Sequence, residues 1–452
     1  MKMKKLIALL LALVMVLGLV ACGASEPAPT DPPVVENPET PDTPADPVVD
    51  EANPLYTMPT ENVSLQVWYA VSGVTGEMFE AMVKEWNDAH PNVTIELSYS
   101  GNAGETAEKV SANQLAGTAP DVALMYAGPL YTGGQEDWTI ETLIEDPAFD
   151  KDGIYAGAWE YCQFQGRVCA LPYTASVPVL YYNKDIVAKI APDIETNPPQ
   201  TWDELYALAE KAVAEGGATY GFDVNDVPWL FKSMLNQNGN TIIDVSSGSV
   251  EPIYNDEKAV EVATFWQKLT ANGLMPIDQH GNADKTFQAG QTAFLVSSSV
   301  RLARWGGNTE IADFGCLPMP SFSQKSVAMG GPVLVCLAKK NPTEEDNLKL
   351  AAAWDLLKFL TSEEKSTEFA LATGYLPLYA TANESDLVKN AIAEDPRREV
   401  VYNYLADSWS YWHFDEMGTM DNIMKSMMSE IENGADVQEA LDKGVDQLLD
   451  EM

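Results

Sequence analysis

The sequence predicts an α/β protein with mostly parallel sheets covered by helices. Between residues 63 and 126, segments with strand character alternate with segments of helical periodicity, an order typical of parallel sheets. The chain of 452 residues is 46% hydrophobic and contains 11 tryptophans, enough apolar material for large cores. About 390 residues follow the N-terminal segments, too many for one ordinary core, so two domains are expected.

Five elements are predicted in the first part of the chain, where alternating or β-branched residues indicate strands and apolar residues at helical spacing indicate helices. They are a strand at 63–69, a helix at 76–89, a strand at 93–99, a helix at 103–116 and a strand at 121–126. Ligands of such sheets bind beyond the carboxyl ends of the strands. The loops after Tyr69, Tyr99 and Tyr126 are therefore the expected binding region.

The same patterns continue towards the C-terminus. Thr201 and Glu204 have the spacing of a capping box, so a helix is expected to begin there. Further strands are predicted at 177–183, 293–298, 312–318 and 333–338, and further helices at 258–272, 344–360, 421–432 and 437–449.

The N-terminus has the pattern of an export signal. Three lysines precede an apolar run at 6–17, which is shorter than the ~20 apolar residues that span a membrane. The sequence LVAC at 19–22 resembles the lipobox of bacterial lipoproteins. That resemblance implies that residues 1–21 are a signal peptide and that Cys22 carries a lipid anchor. An ordinary signal peptide with a chance cysteine is the alternative.

Residues 22–60 are predicted to be an extended linker. Ten prolines and many acidic residues lie in this segment, which therefore cannot bury enough apolar surface to offset the entropy of ordering. Proline and like charges keep such a chain extended. Behind a lipid anchor, the segment would act as a spacer between the membrane and the folded part.

The composition and the missing motifs argue against several function classes. The formal net charge of −40 opposes binding to nucleic acid and to anionic lipid. The three histidines, His90, His280 and His413, are far apart in the sequence, and no GxSxG, Walker or HExxH motif is present. We expect no enzyme activity, cofactor or metal, although a glycosidase-type carboxylate pair among 67 acidic residues stays open.

Two cysteines form a pattern of their own. Cys162 and Cys169 flank Gln165 and Gly166, a dipeptide that suits a two-residue hairpin turn. In such a hairpin the two cysteines would face each other, and an exported location would permit a disulfide. Two reduced cysteines would give the same pattern, so both states stay open. Cys316 and Cys336 lie in apolar runs and are expected in the core.

Seven stretches together resemble the family 1 extracellular solute-binding proteins of ABC importers, in the maltose- and glycerol-phosphate-binding branch. They are GTAPDVALMY (117–126), GRVCALPYTASVPVLYYNKD (166–185), PPQTWDEL (198–205), FQAGQTAFLVSS (287–298), GCLPMP (315–320), MGGPVLVCLAKK (329–340) and TGYLPLY (373–379). Each stretch alone is weakly specific, whereas their order and spacing together indicate the family.

The resemblance implies two lobes with a ligand cleft between them, closed by a hinge motion. The implied lobes are 60–172 with 320–366 and 177–314 with 372–452, and the implied crossings lie near 172–177, 314–320 and 367–375. The implied function is a monomeric receptor, anchored by lipid outside the cytoplasm, that delivers a small solute to the transmembrane subunits of an ABC importer.

Nine residues are predicted to contact the ligand because they lie at strand ends, at crossings, in aromatic segments or at positions that match the family. They are Tyr126, Ser176, Trp229, Ser298, Arg301, Gly331, Tyr375, Trp412 and Asp415. Aromatic rings would pack on sugar C–H faces, and polar groups would bind hydroxyls. Structural roles are the alternatives: a core ring for Tyr126 and Trp412, a helix cap for Ser298, and a turn for Ser176 and Gly331.

Two departures from the glycerol-phosphate branch favour a neutral ligand. That branch has a carboxylate where this chain has Ala127, and an arginine where this chain has Asp415 and Glu416. A phosphate dianion without that arginine would be poorly compensated. A sugar or oligosaccharide is expected, with Asp415 or Glu416 accepting hydrogen bonds. A glycerol phosphate derivative, a cationic solute, and a surface hydrolase or adhesin are the alternatives.

Overall fold

The computed structural model describes residues 53–128, 131–132, 135–137, 139–306, 311–339 and 341–452. The predicted signal peptide, Cys22 and most of the predicted linker lie outside these residues. Residues 52–452 form one compact unit. Among the described residues, every helix is too short or too polar to cross a membrane.

The strands are β1 (Val63–Tyr69), β2 (Val93–Tyr99), β3 (Val122–Met125), β4 (Tyr131–Thr132), β5 (Gln135–Glu136), β6 (Gln163–Phe164), β7 (Arg167–Val168), β8 (Pro178–Asn183), β9 (Tyr220–Val224), β10 (Ile243–Asp244), β11 (Glu251–Pro252), β12 (Thr292–Ser298), β13 (Phe314–Leu317), β14 (Val327–Ala328), β15 (Val333–Cys336) and β16 (Ser408–Trp409).

The α-helices are α1 (Val74–Ala89), α2 (Ala103–Ala116), α3 (Thr139–Leu143), α4 (Ala156–Tyr161), α5 (Lys184–Val187), α6 (Trp202–Lys211), α7 (Val227–Gln237), α8 (Glu257–Ala271), α9 (Ala283–Gln288), α10 (Arg301–Trp305), α11 (Glu344–Thr361), α12 (Glu363–Thr373), α13 (Asp386–Glu394), α14 (Arg397–Tyr402), α15 (Met417–Glu432) and α16 (Val437–Glu451). Short 3-10 helices lie at Pro54–Tyr56, His280–Asn282, Ala380–Glu384 and Asn403–Asp407, and a π-helical turn lies at Ala212–Gly216.

The first sheet has the strand order β15-β3-β1-β2. Strands β1, β2 and β3 are parallel, with Val63 opposite Val93 and Val67 opposite Val122. Strand β15 is antiparallel to β3. The carboxyl ends of the three parallel strands therefore lie at one edge, as the strand–helix alternation predicts.

The second sheet has the strand order β13-β8-β12-β9. Strands β9 and β12 are parallel, but β8 is antiparallel to both of its neighbours. The prediction of a mostly parallel second sheet is therefore wrong, and the sheet is mixed. Strand direction follows from where the chain enters the sheet, which local sequence patterns do not record.

Buried tryptophans hold the helices on the sheets, and each indole N–H has a partner. Trp86 donates to Asp355 Oδ1 at 3.0 Å, and Trp354 donates to Asp146 Oδ2 at 2.8 Å. Around the second sheet, Trp202 donates to Gln237 Oε1 at 2.7 Å and Trp266 to Glu432 Oε1 at 2.8 Å. Burying these large rings stabilises each core, and the hydrogen bonds remove the cost of burying the indole N–H groups.

Two antiparallel segments connect the sheets. Leu171 and Leu334 exchange backbone hydrogen bonds of 2.7 and 3.0 Å, and Ser176 and Gly330 exchange bonds of 2.8 and 2.9 Å. The first segment corresponds to the predicted crossing at 172–177. Together, the two segments form the narrow connection beside which a ligand cleft can lie.

The second connection lies later in the chain than 314–320. Residues 314–317 form β13 of the second sheet. The hydroxyls of Ser323 and Ser326 then bond to Gln237 O and Asn236 Oδ1 of α7, at 2.8 and 2.5 Å. The chain therefore leaves the second sheet only near 329–333, because the loop after β13 is held by α7. The lobe boundaries themselves stay predictions.

Candidate functional site

Four tyrosines lie together beyond the carboxyl end of β3. Tyr126 directly follows β3, Tyr161 ends α4, Tyr375 follows α12 and Tyr411 follows β16. Burial raises the pKa of Tyr161 most, and the phenols of Tyr126, Tyr411 and Tyr375 raise it further. The phenol groups therefore lie close enough to act on one another electrostatically.

Solvent reaches these tyrosines although protein surrounds them. Tyr126 exposes 49% of its surface to solvent, and the other three are only partly buried. Even so, burial is the main cause that raises the pKa of all four, in Tyr375 to about 12. A ring that water can reach, yet that is surrounded by protein, lies in a cleft rather than on a convex surface.

Trp229 lies where α7 meets the second connecting segment. Asp226 caps α7 by accepting a 3.1 Å hydrogen bond from the backbone N–H of Trp229, and the indole N–H donates to Ala328 O at 2.9 Å. A Cβ added to Gly330 would lie 3.3 Å from Cζ2 of the indole. The ring is thus held against the connection between the sheets, and it remains partly exposed.

Charged groups surround the tyrosines on the side of the second sheet. After burial, the carboxylates of Asp226 and Asp421 raise the pKa of Tyr126. Lys232 is buried, and its ammonium lies 2.8 Å from Asp421 Oδ1 and 3.3 Å from the Tyr411 hydroxyl. Burial would lower the pKa of Lys232, but Tyr411 and Asp421 raise it above its usual range. The ammonium therefore stays charged beside the cleft.

Ser298 and Arg301 differ in what they can offer to a ligand. Ser298 is partly exposed and lines a small depression with Asp226 and Trp229. The Nε of Arg301 lies 2.7 Å from Asp284 Oδ2, so that guanidinium is already paired. Arg304 is exposed on α10, and its charge lowers the pKa of Tyr375 relative to burial alone. Of the two arginines, Arg304 is the one whose charge acts on a cleft tyrosine, Tyr375.

The remaining predicted residues have defined structural contacts. The Ser176 hydroxyl donates to Gly330 O at 3.1 Å. Trp412 packs on the β6–β7 turn, where a Cβ at Gly166 would lie 2.6 Å from its Cη2. Asp415 is exposed between β16 and α15. The carboxylates that act on Tyr126 are instead Asp226 and Asp421.

Gly331 allows the close approach of the two connecting segments. Its φ of 126° lies in a region that favours glycine, and an added Cβ would lie 2.5 Å from Thr174 Oγ1. The Thr174 hydroxyl donates to Pro332 O at 2.6 Å, and the next carbonyl, Ala175 O, accepts from the Leu376 amide beside Tyr375 at 2.8 Å. Gly331 thus lets Thr174 approach closely and helps to place the segment beside Tyr375, so its effect on the site is indirect.

Replacing Gly331 with alanine is expected to destabilise the fold more than replacing Gly434 with alanine. Gly434 has a φ of 90° but nothing within 4 Å of an added Cβ, so Gly434→Ala measures the backbone cost alone. The contact with Thr174 should add about 1–2 kcal/mol to the loss for Gly331→Ala. Urea unfolding of both variants measures the difference, and equal losses would contradict the assigned role.

Sequence reasoning missed Asp226, Asp421 and Tyr161. Asp226 lies two residues after β9, so the rule about strand ends could have found it. No local sequence signal marks Asp421 or Tyr161, because α15 and α4 bring these two residues to the cleft only in the folded chain. Among the described residues, no group of three or more His, Cys, Asp or Glu side chains could hold a metal ion.

Comparisons with known proteins identify the family of this chain. Residues 81–396 match the family described as bacterial extracellular solute-binding protein. The sn-glycerol-3-phosphate-binding periplasmic protein UgpB of Agrobacterium fabrum is 24% identical over 359 residues, covering 74% of this chain and 78% of the relative. The protein of the same name from Salmonella typhimurium is 22% identical over 412 residues, covering 85% and 91%.

Solved structures show the same fold. The cyclic α-maltosyl-1,6-maltose binding protein from Arthrobacter globiformis superposes with a TM-score of 0.70 at 21% identity, covering 86% of this chain and 100% of that chain. UgpB from Mycobacterium tuberculosis, in complex with glycerophosphocholine, gives a TM-score of 0.65 at 19% identity, covering 86% and 98%. The predicted two-lobed α/β fold class is thereby confirmed.

Proposed function

The chain belongs to the bacterial extracellular solute-binding proteins, and on that premise we propose that it captures a neutral sugar or oligosaccharide for an ABC importer. The single observation that supports this choice of ligand is the group of four solvent-accessible tyrosines near Asp226, the residue that caps the helix of Trp229. Aromatic rings of this kind pack on the C–H faces of sugars, and their hydroxyls, with Asp226 and Asp421, can bind sugar hydroxyls.

The balance of charge supports a neutral ligand. Asp226 and Asp421 face the tyrosines from α7 and α15, and Lys232 and Arg304 bring two positive charges to the same region. The Lys232 ammonium is already bonded to Asp421 and Tyr411. The two negative and two positive side chains therefore already balance one another. A ligand with a net charge would add a charge that has no partner in a partly buried site.

We propose hinge closure as the way in which binding is signalled to the importer. Tyr126 follows a strand of the first sheet, whereas Asp226 and Trp229 follow strand β9 of the second. A ligand that contacts both groups binds the closed form better, and it shifts the population towards that form. The connecting segments at 171–176 and 330–334 are where the backbone would bend.

The proposed anchoring follows from the N-terminal sequence. Residues 1–21 would be removed as a signal peptide, and Cys22 would carry the lipid that holds a monomer at the outer face of the cell membrane. The names of the relatives, periplasmic proteins that bind sn-glycerol-3-phosphate, support an extracytoplasmic location. We expect this chain to differ from those periplasmic relatives in carrying a lipid anchor.

A glycerol phosphate derivative is the second candidate ligand, and one observation favours it. Arg304 is exposed and near Tyr375, so it could replace the arginine that is missing before the terminal helices. The names of the curated relatives point in the same direction. Arg304 alone would oppose two carboxylates at the cleft, which is why we place this candidate second.

A ligand screen separates the candidates. Thermal unfolding and tryptophan emission are measured with maltose, maltotetraose, glycerol 3-phosphate and glycerophosphocholine, and each mixture is analysed for products. A sugar at 100 times its Kd should add about 2.7 kcal/mol of stability and should be recovered unchanged. Stabilisation by the phosphates alone would establish the second candidate, and formation of any product would contradict a receptor without enzyme activity.

A further inference from the structure

Cys162 and Cys169 flank the β6–β7 hairpin, one residue beyond each strand. Gln165 and Gly166 have φ values of 50° and 76°, as a two-residue turn requires, so the hairpin predicted from sequence is confirmed. Gln163 pairs with Val168, and Cys162 and Cys169 are the next pair outward. The Cys169 amide donates to Cys162 O at 3.0 Å, which continues the ladder by one hydrogen bond.

The two thiols lie on the same side of this hairpin. The Cys169 thiol is 3.3 Å from Cys162 O, and both side chains are buried in one small apolar cluster with Phe164 and Ala170. Cys162 caps the C-terminus of α4 with φ −89° and ψ 6°, outside the extended conformation of β6, so the end of that helix also directs its side chain. Disulfides typically join Cα atoms about 5.5–6 Å apart, a separation that residues sharing a hydrogen bond across the end of a hairpin can reach.

We propose that the exported protein carries a disulfide between Cys162 and Cys169. This proposal uses the extracytoplasmic location given under the proposed function, but not the identity of the ligand. Both cysteines are free thiols in the structure described here, so the proposal concerns an oxidation of that form.

The oxidant is a protein of the thiol–disulfide oxidoreductase class. One cysteine thiolate attacks the oxidant's disulfide, forming a mixed disulfide and releasing one oxidant thiol. The second cysteine thiolate attacks the cysteine sulfur of that mixed disulfide, forming the Cys162–Cys169 bond and releasing the other oxidant thiol. The cysteine pair loses two electrons and two protons, and the oxidant becomes a dithiol.

Oxidation must precede burial of the hairpin. In the folded chain, burial raises the pKa of Cys162 and raises that of Cys169 to about 12, so reactive thiolates are scarce there. Only six residues separate the two cysteines, so they meet early through local hairpin formation. Cys316 and Cys336 instead lie on strands of different sheets, so they have no local partner.

The bond would fix a part of the cleft wall. Tyr161 directly precedes Cys162, the Gln165 amide donates to His413 O at 3.0 Å, and Trp412 packs on Gly166. The hairpin therefore supports one of the four cleft tyrosines and the segment that follows Tyr411. Closing the hairpin covalently restricts the positions that these groups can adopt.

Tryptic digestion gives a direct test, because Arg167 lies between the two cysteines. The full-length chain is recovered from the cell envelope, unfolded with iodoacetamide but without reductant, and digested. The expected product is peptide 152–167 joined to peptide 168–184, two hydrogens lighter than their sum. The peptides that carry Cys316 and Cys336 should each be alkylated, and they serve as matched buried controls.

Two further samples make the result decisive. Reduction before alkylation should separate the joined peptides and alkylate both cysteines. Refolding the purified chain in a glutathione redox buffer repeats the test independently of export, and the thermal-shift screen reports ligand binding separately. Recovery of Cys162 and Cys169 as separate alkylated peptides from both the envelope and the refolded sample would overturn the proposal.

Discussion

Replacing His280 with leucine is expected to lower the free energy of unfolding by about 3–5 kcal/mol. His280 is 9% exposed, with Nδ1 2.7 Å from Asp223 Oδ1 and Nε2 2.8 Å from Glu432 Oε1. The imidazolium thus joins β9 of the second sheet to the end of α15. Leucine would leave two buried carboxylates without the cation between them.

The same group predicts how stability depends on pH. Burial would lower the pKa of His280, but hydrogen bonds to Asp223 and Glu432 outweigh it and raise the pKa to about 9. Since this value exceeds the 6.5 of an exposed histidine, the stabilisation is complete below about pH 6.5 and is lost as pH rises through 9. Burial also raises the pKa of Asp223, although the hydrogen bond to His280 opposes this rise. The cost of burying the Asp223 carboxylate therefore offsets part of the stabilisation that His280 provides.

Urea unfolding at pH 6 and pH 9.5 measures both effects. The unmodified protein should lose stability between these values, whereas His280→Leu should start lower and change less. His90→Gln is the control, because His90 is partly exposed and its Nε2 is 3.8 Å from Asp355. The control should change stability by less than about 1 kcal/mol. Equal pH slopes for the unmodified protein and His280→Leu would contradict the assigned role.

Trp229→Ala and Tyr375→Ala are each expected to weaken sugar binding at least tenfold without unfolding the protein. Trp229 connects α7 to the segment between the sheets, and Tyr375 lies among the cleft tyrosines. Each truncation removes an aromatic face that a sugar would cover, a loss of about 1–3 kcal/mol. Titration with whichever sugar gives the largest thermal shift measures the affinities.

Two variants make the binding test specific. Tyr375→Phe keeps the ring and removes the hydroxyl, so it separates packing from hydrogen bonding. Tyr56→Ala removes a partly buried tyrosine whose hydroxyl donates to Thr142 O at 3.1 Å, and it should leave the affinity unchanged. Unmodified affinity in both Trp229→Ala and Tyr375→Ala would show that the cleft is assigned to the wrong residues.

Local sequence patterns correctly predicted many of the elements. Thr201 and Glu204 form the expected capping box, and Gln165 and Gly166 form the expected hairpin turn. Strand β3 covers Val122–Met125, within the predicted strand at 121–126. These features depend on residues within a few positions of one another, so the sequence contains all the information they need.

The sequence alone therefore determined the α/β class, the order of the main elements and the position of Tyr126 at a strand end. Only the tertiary structure decided the direction of β8, the late connection near 329–333 and the association of Tyr126 with Asp226 and Asp421. It also placed His280 between two carboxylates from distant segments. Such contacts depend on how whole helices and sheets pack, and no local periodicity encodes which distant side chains will meet.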